Sequence, residues 1–240
     1  MTDGHAGGAP TGPDDTTGPD ETAGAGGTDR AGESGRAAGT GSEAPEFWEG
    51  FYRSRPQVFS GRVNPALARA ARALRPGTAL DLGAGEGGDT AWLAERGWTV
   101  TAVDISATAL ARVARRVGGF PVALERHDLA VTFPAGGFDL VSAQYLHSLD
   151  DAFPRAAILR RAASAVAPGG TLLVVGHGGL APRGWGAPLR MPTADDVLVA
   201  LALDPAAWEV ERRESVERVS TGPDGAERSV PDEIVQARRR

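Results

Sequence analysis

Residues 79–98 read ALDLGAGEGGDTAWLAERGW. An apolar run reaches an acid, Asp81, and glycines at 83, 85, 87 and 88 then precede a helix-forming stretch. Glycine loses more conformational freedom on folding than any other residue. Four within six positions therefore mark a tight turn and a backbone that something approaches closely. The stretch predicts a strand, a glycine loop and a helix over 89–97 closed by Gly97.

The alternation continues on both sides. Hydrophobic patterning predicts strands over 78–85, 98–106, 121–128, 138–146 and 171–178, with helices over 89–97, 107–119 and 153–170. Strand and helix alternating at this interval specify an α/β fold with a parallel, doubly wound sheet. Upstream, Asn64-Pro65 followed by Leu67, Ala70, Ala71 and Leu74 predicts a helix with proline in its first position, ending at 75–77. Downstream, 193–201 reads as a helix. Two strand-like segments, 208–220 and 226–240, flank the turn TGPDG and predict a C-terminal antiparallel hairpin. The proline in SVPDE interrupts the second segment and leaves its limits open.

Composition bounds the function. The 240 residues contain no cysteine, so neither disulfides nor thiolate chemistry is available. All 25 basic residues are arginine, which excludes Schiff-base and P-loop lysines. The four histidines, 5, 127, 147 and 177, form no metal-binding spacing, and no metal is expected. No apolar run is long enough to span a membrane, and no basic-then-apolar leader is visible. The expected location is cytoplasmic, with no membrane partner. Residues 1–45 carry the whole net charge of −6, so the rest is neutral and offers no bulk basic footprint for nucleic acid. From 2 to 46 there is no Leu, Ile, Val, Phe, Tyr or Trp. The expectation is a disordered acidic tail over 1–45 and one folded domain over 46–240, with 46–77 as an N-terminal lid segment.

In a doubly wound sheet, ligands bind beyond the carboxyl ends of the strands where the strand order reverses. Gly83, Gly85 and Gly88 formally match G-x-G-x-x-G, a pattern that suits a dinucleotide pyrophosphate at a helix N-terminus. Asp81 before the loop and Glu86 within it would repel a pyrophosphate. They suit a ligand carrying an ammonium and a sulfonium. Asp104 ends the next strand, where an acid grips ribose hydroxyls or caps the following helix. Asp128 ends the third strand, as an adenine contact or an ordinary turn residue.

These elements resemble those of class I S-adenosylmethionine-dependent methyltransferases. LDLGAGEG resembles their first motif, VTAVDIS the second, RHDL the third and FDLVSAQYLH the fourth. With the lead FWEGFYRSRPQVFSGRVNP, the chain is most similar to the small-molecule enzymes of the tellurite-resistance and thiopurine type. The resemblance covers about 47–240 and implies a Rossmann-like, seven-stranded, mostly parallel sheet whose last strand is reversed. It implies S-adenosylmethionine as cofactor and a small-molecule methyl acceptor. It places the cofactor on Asp81, Gly83, Ala84, Gly85, Asp104, Ile105, Asp128, Leu129 and Gln144, and Trp48, Tyr52 and Tyr145 in a lid or acceptor site. Ala84 departs from the cysteine common in close relatives. Trp48, Phe51, Tyr52 and Phe59 either pack a core or close over the cofactor, where aromatic faces attract a sulfonium. His147, after the fourth strand, is the general-base candidate, with a cap or packing role as the alternative. His177 is the second candidate. Two rivals stand beside this reading: a nicotinamide-dependent oxidoreductase on the same glycine pattern, and a binding module that keeps the fold without turnover. No Tyr-x-x-x-Lys pair is available to the first.

Overall fold

The computed structural model describes residues 44–148, 153–179, 190–221 and 227–240. Most of the expected acidic tail, the TGPDG turn and the glycine-rich stretch after 179 lie outside the described residues.

Six helices and seven strands follow one another among the described residues: α1 (Ala44–Arg53), α2 (Pro65–Arg72), β1 (Thr78–Leu82), α3 (Gly88–Glu95), β2 (Thr99–Asp104), α4 (Ala107–Val117), β3 (Val122–Arg126), β4 (Phe138–Gln144), α5 (Arg155–Ser164), β5 (Val166–His177), α6 (Ala194–Leu201), β6 (Trp208–Thr221) and β7 (Glu227–Arg239). The strands make one sheet in the order β3-β2-β1-β4-β5-β7-β6. Strands β1 to β5 run parallel, and β7 is antiparallel to both β5 and β6. The expected seven-stranded sheet with a reversed last strand is what forms. The order reverses between β1 and β4, so their carboxyl ends flank the crevice where doubly wound sheets bind ligands.

The central strands are apolar because both faces are covered. On one face Leu80, Leu82, Val141, Leu172 and Val174 pack against Ile158 and Leu159 of α5 and Val197 and Leu201 of α6. On the other, Ala79, Val100, Leu140 and Leu173 meet Leu67 of α2, Leu93 of α3 and Trp98. Among the described residues, no helix is long and apolar enough to cross a membrane.

Two expectations change. The helix expected over 153–170 stops at Ser164, and β5 begins at Val166. Pro168 cannot continue a helix, and Gly169 has φ +80°. A side chain at Gly170 would sit 2.9 Å from the carbonyl oxygens of Ala167 and Phe138. This glycine pair carries the irregularity between Phe138 and Leu140 in the β4–β5 register. In β7, Pro231 does not break the strand. The β5 ladder ends at Asp232, and beyond it Gly178 donates its amide to the Pro231 carbonyl at 2.8 Å, a contact that asks no N–H of the proline, while Glu217 of β6 is its register partner on the other side.

Leu140 is fully buried in β4 at the centre of the sheet. Leu140→Ala is expected to cost about 2–5 kcal/mol of stability, read as a lower midpoint at unchanged slope in urea unfolding.

Candidate active site

One cavity of about 600 Å³ opens at the carboxyl ends of the central strands. Its volume falls within the roughly 300–1,000 Å³ typical of small-molecule sites. Of the residues placed in cofactor, lid, acceptor or base roles from the sequence, thirteen line this cavity. Phe59, Arg62 and Asn64 line it as well, whereas Phe51 and His177 do not.

The glycine loop folds back over β2. Gly83 and Ala84 donate their amides to the Val103 carbonyl, at 2.8 and 2.9 Å. Gly83 and Gly85 have φ of +74° and +53°, a region that L side chains avoid. Gly88 is a glycine for a different reason. A Cβ there would lie 2.6 Å from the Arg62 carbonyl oxygen. The third glycine of the apparent dinucleotide fingerprint thus admits another stretch of the protein's own backbone.

Three carboxylates surround the loop, and among the described residues none forms an ion pair. Asp81 is 2% exposed and accepts a 2.6 Å hydrogen bond from Thr90 Oγ1. Asp89, in the first turn of α3, accepts a 2.6 Å bond from the Asn64 amide. Asp104 accepts from the Gly85 amide and the Ser106 amide, both at 2.9 Å. Burial pushes all three carboxyls above their ordinary range, Asp104 to about 6, and the Asp81 charge raises Asp89 further. Asp104 therefore braces the loop against the start of α4, while Ser106 is the residue that caps that helix, accepting from the Ala109 amide. Asp128 makes the turn contact, accepting from the Ala130 amide at 3.0 Å. Gln144 donates Nε2 to Ser142 Oγ at 2.9 Å, and its buried Oε1 accepts no hydrogen bond from a described residue.

Glu86 does not face the cavity as a charge for a ligand. Its carboxylate, 4% exposed, accepts from the Val58 and Phe59 amides and pairs with Arg112. Arg112 also donates to the Tyr52 and Arg55 carbonyls, and Arg116 to those of Glu86 and Gly61. These contacts hold residues 54–64, a strap running from α1 to α2, across the glycine loop. Helix α1 is tied down separately. Its Glu49 accepts from Thr108 Oγ1 at 2.6 Å and Ser106 Oγ at 2.7 Å, which holds its carboxyl at about 2. Trp48 and Tyr52, one helical turn apart, then face the cavity. The Tyr52 phenol is buried and its pKa is pushed far up by that burial, so it stays neutral.

Beyond β4 lies a second polar group. Tyr145 has φ 49°, rare for a non-glycine residue. Its ring stacks on His177 at 4.4 Å, and its hydroxyl donates to Asp232 at 2.8 Å. Asp232 also receives Arg218 Nε at 3.0 Å. His147 stacks on His177 at 5.5 Å. Burial, and then the neighbouring His177 and Arg155, hold the His147 imidazole at about 3. Burial, and then Arg218, hold His177 at about 4. Both are neutral at pH 7.

Asp89, Arg112, Arg218 and Asp232 were not legible as site residues. Asp89 reads as an ordinary first-turn acid, although its place just after the glycines was a signal. Arg112 reads as part of a solvated helix face. Arg218 and Asp232 meet Tyr145 only through the pairing of β6 and β7.

Known proteins give the same picture. Residues 79–170 match the family model described as a methyltransferase domain. An uncharacterised methyltransferase of Mycobacterium tuberculosis is 43% identical over 98 residues, 40% of this chain and 48% of the relative. The chain thus spans about half the length of the curated relatives it matches. The S-adenosylmethionine-dependent methyltransferase from Mesorhizobium loti superposes with a TM-score of 0.54 at 25% identity, over 73% of this chain and 99% of that one. The 1,6-didemethyltoxoflavin-N1-methyltransferase of Burkholderia thailandensis, solved with its acceptor and S-adenosylhomocysteine, gives 0.61 at 22% identity, over 86% and 92%. Residues 79–170 are therefore similar to a methyltransferase domain, and the chain has the fold of the solved S-adenosylmethionine-dependent methyltransferases.

Proposed function

We propose that the chain binds S-adenosylmethionine and transfers its methyl group to a small-molecule acceptor. The observation that carries this reading is the set of three carboxylates lining one cavity, Asp81 and Asp104 buried and Asp89 half-buried, none of them in an ion pair among the described residues. Such a set favours a cationic ligand and repels a pyrophosphate at the α3 N-terminus, which counts against the nicotinamide rival. Bound there, S-adenosylmethionine supplies a sulfonium-activated methyl group for in-line displacement.

The protein's part is alignment and exclusion of water. Asp81 and Asp89 stand where an ammonium would be neutralised. Asp104 has lone pairs beyond its two amide contacts and would take ribose hydroxyls. Ile105, Asp128 and Leu129 would frame the adenine, and Gln144 Oε1 offers an acceptor for a donor hydrogen of a ligand. Trp48 and Tyr52 present ring faces that suit a sulfonium. Tyr145 and His147 lie beyond the end of β4 and would meet the acceptor. The neutral His147 can take a proton from the nucleophile, but its low basicity restricts it to a nucleophile that acidifies as it reacts. A small acceptor fits a cavity of this size covered by a strap, and the Burkholderia thailandensis neighbour, solved with 1,6-didemethyltoxoflavin bound, has the same fold.

Asp104→Ala is expected to weaken S-adenosylmethionine binding by about 1–3 kcal/mol with the fold retained. Unchanged affinity in a calorimetric titration would remove Asp104 from the cofactor site.

The raised acids also fix a pH dependence. A carboxyl whose folded pKa is raised stabilises the unliganded fold below its ordinary pKa of 3.8, and that contribution is lost as pH rises through about 6 for Asp104. A cationic ligand favours the ionised form, lowers that pKa and releases protons on binding. Affinity for S-adenosylmethionine is expected to fall roughly three- to tenfold from pH 7.5 to 5.5. Affinity that is flat over this range, measured by calorimetry at both ends, would show that Asp104 does not change ionisation on binding.

A further inference from the structure

We infer that Glu86 and Arg112 form a latch that sets how fast the cofactor leaves, a role that rests on the cofactor reading above. The cavity has two walls. One is the glycine loop with the strand ends; the other is α1 and the strap, contributing Trp48, Tyr52 and Phe59. A ligand held between them leaves when the second wall moves.

The strap part of that wall is held mainly by polar contacts. No residue from 53 to 66 is buried, whereas the glycine loop and the elements beneath it are largely buried. Segments with few buried contacts open at low cost in free energy. What ties this one down is a small set of charged side chains. Glu86 takes the Val58 and Phe59 amides, Arg112 reaches the Tyr52 and Arg55 carbonyls, and Asp89 takes the Asn64 amide. Glu86 and Arg112 are joined to each other, with side chains 4% and 12% exposed. Charge-assisted bonds in such a setting are about twice as strong as neutral ones.

The position of Glu86 gives the latch its consequence. It belongs to the glycine loop that receives the cofactor, yet its carboxylate is spent wholly on the strap and on Arg112. One side chain thus joins the loop beneath the cofactor to the wall above it. Gly88 marks the same closeness, since the Arg62 carbonyl occupies the space of its missing side chain. Glu86 and Arg112 are positioning residues: they act through the strap.

The test measures release of radiolabelled S-adenosylhomocysteine from the full chain into excess unlabelled ligand. Glu86→Gln and Arg112→Gln are each expected to raise the dissociation rate at least about tenfold, the factor that corresponds to ~1.4 kcal/mol. The double variant should be no faster than the faster single one, because the two act as a unit. Arg112→Lys should restore part of the native rate, which general loosening of the fold would not produce. A dissociation rate within twofold of native in both Gln variants, with S-adenosylhomocysteine still bound, overturns the latch and leaves the cofactor reading standing. Failure of the native chain to bind that ligand overturns the cofactor reading itself. Should the variants not fold, hydrogen exchange on the native chain decides. Amides 58–64 should exchange faster than those of the central strands and slow at least tenfold with ligand; strap amides indifferent to ligand overturn the proposal.

Discussion

Burying a carboxylate without a counter-cation is costly, and this structure gathers three unpaired carboxylates around one loop, Asp81 and Asp104 buried and Asp89 half-buried. Asp81, Asp89 and Asp104 are each held by hydrogen-bond donors alone, and each is pushed toward its neutral form. Much of the surrounding architecture serves that arrangement. Strand β1 brings Asp81 to the centre of the sheet, β2 delivers Asp104 beside it, and the glycines allow the chain to turn between them. Helix α3 begins immediately afterwards and supplies Thr90 and Asp89. A fold selected only for stability would place apolar residues at these positions. A strained, uncompensated cluster is the expected mark of a site whose charge is completed by a ligand.

The same economy of residues explains the glycines. A dinucleotide-binding fingerprint and this loop share their spacing, but the third glycine does different work. In a dinucleotide site it allows close helix–strand packing. Here Gly88 makes room for the strap, and the acids on either side of the loop set its charge preference. The two readings of G-x-G-x-x-G are separated by what lies around the glycines rather than by the glycines themselves.

The fold was legible because its signals are local. Hydrophobic runs, glycine stops and the Asn64-Pro65 helix start each depend on a few adjacent residues, the parallel doubly wound sheet followed from alternation, and the reversed last strand from the family resemblance. The departures came where long-range pairing decides. The helix over 153–170 was read too long because the PGG segment is recruited into β5 by its neighbour β4. Pro231 is tolerated because it lies just past the end of the β5 ladder, where its carbonyl accepts from the Gly178 amide and no N–H is needed. For the site, the residues named from the loop and from the ends of β1 to β4 line the cavity, since the carboxyl edge of a doubly wound sheet is fixed by topology, whereas His177 at the end of β5 does not. Glu86 was misread because nothing in the sequence shows that Val58 and Phe59, 28 and 27 residues away, turn their amides toward it. Arg218 and Asp232 were invisible for the same reason: they reach Tyr145 only through a hairpin that folds back across the sheet.

The central claim is that this cavity is built for a cationic nucleoside cofactor. The direct test is a thermal-shift titration of the full chain with S-adenosylmethionine, S-adenosylhomocysteine, NAD⁺ and NADPH in parallel. A ligand at 100 times its dissociation constant stabilises by about 2.7 kcal/mol, a shift readily seen in melting temperature. Stabilisation by the two adenosyl ligands alone is the predicted result. Stabilisation by a nicotinamide cofactor, or by none of the four, would contradict the account.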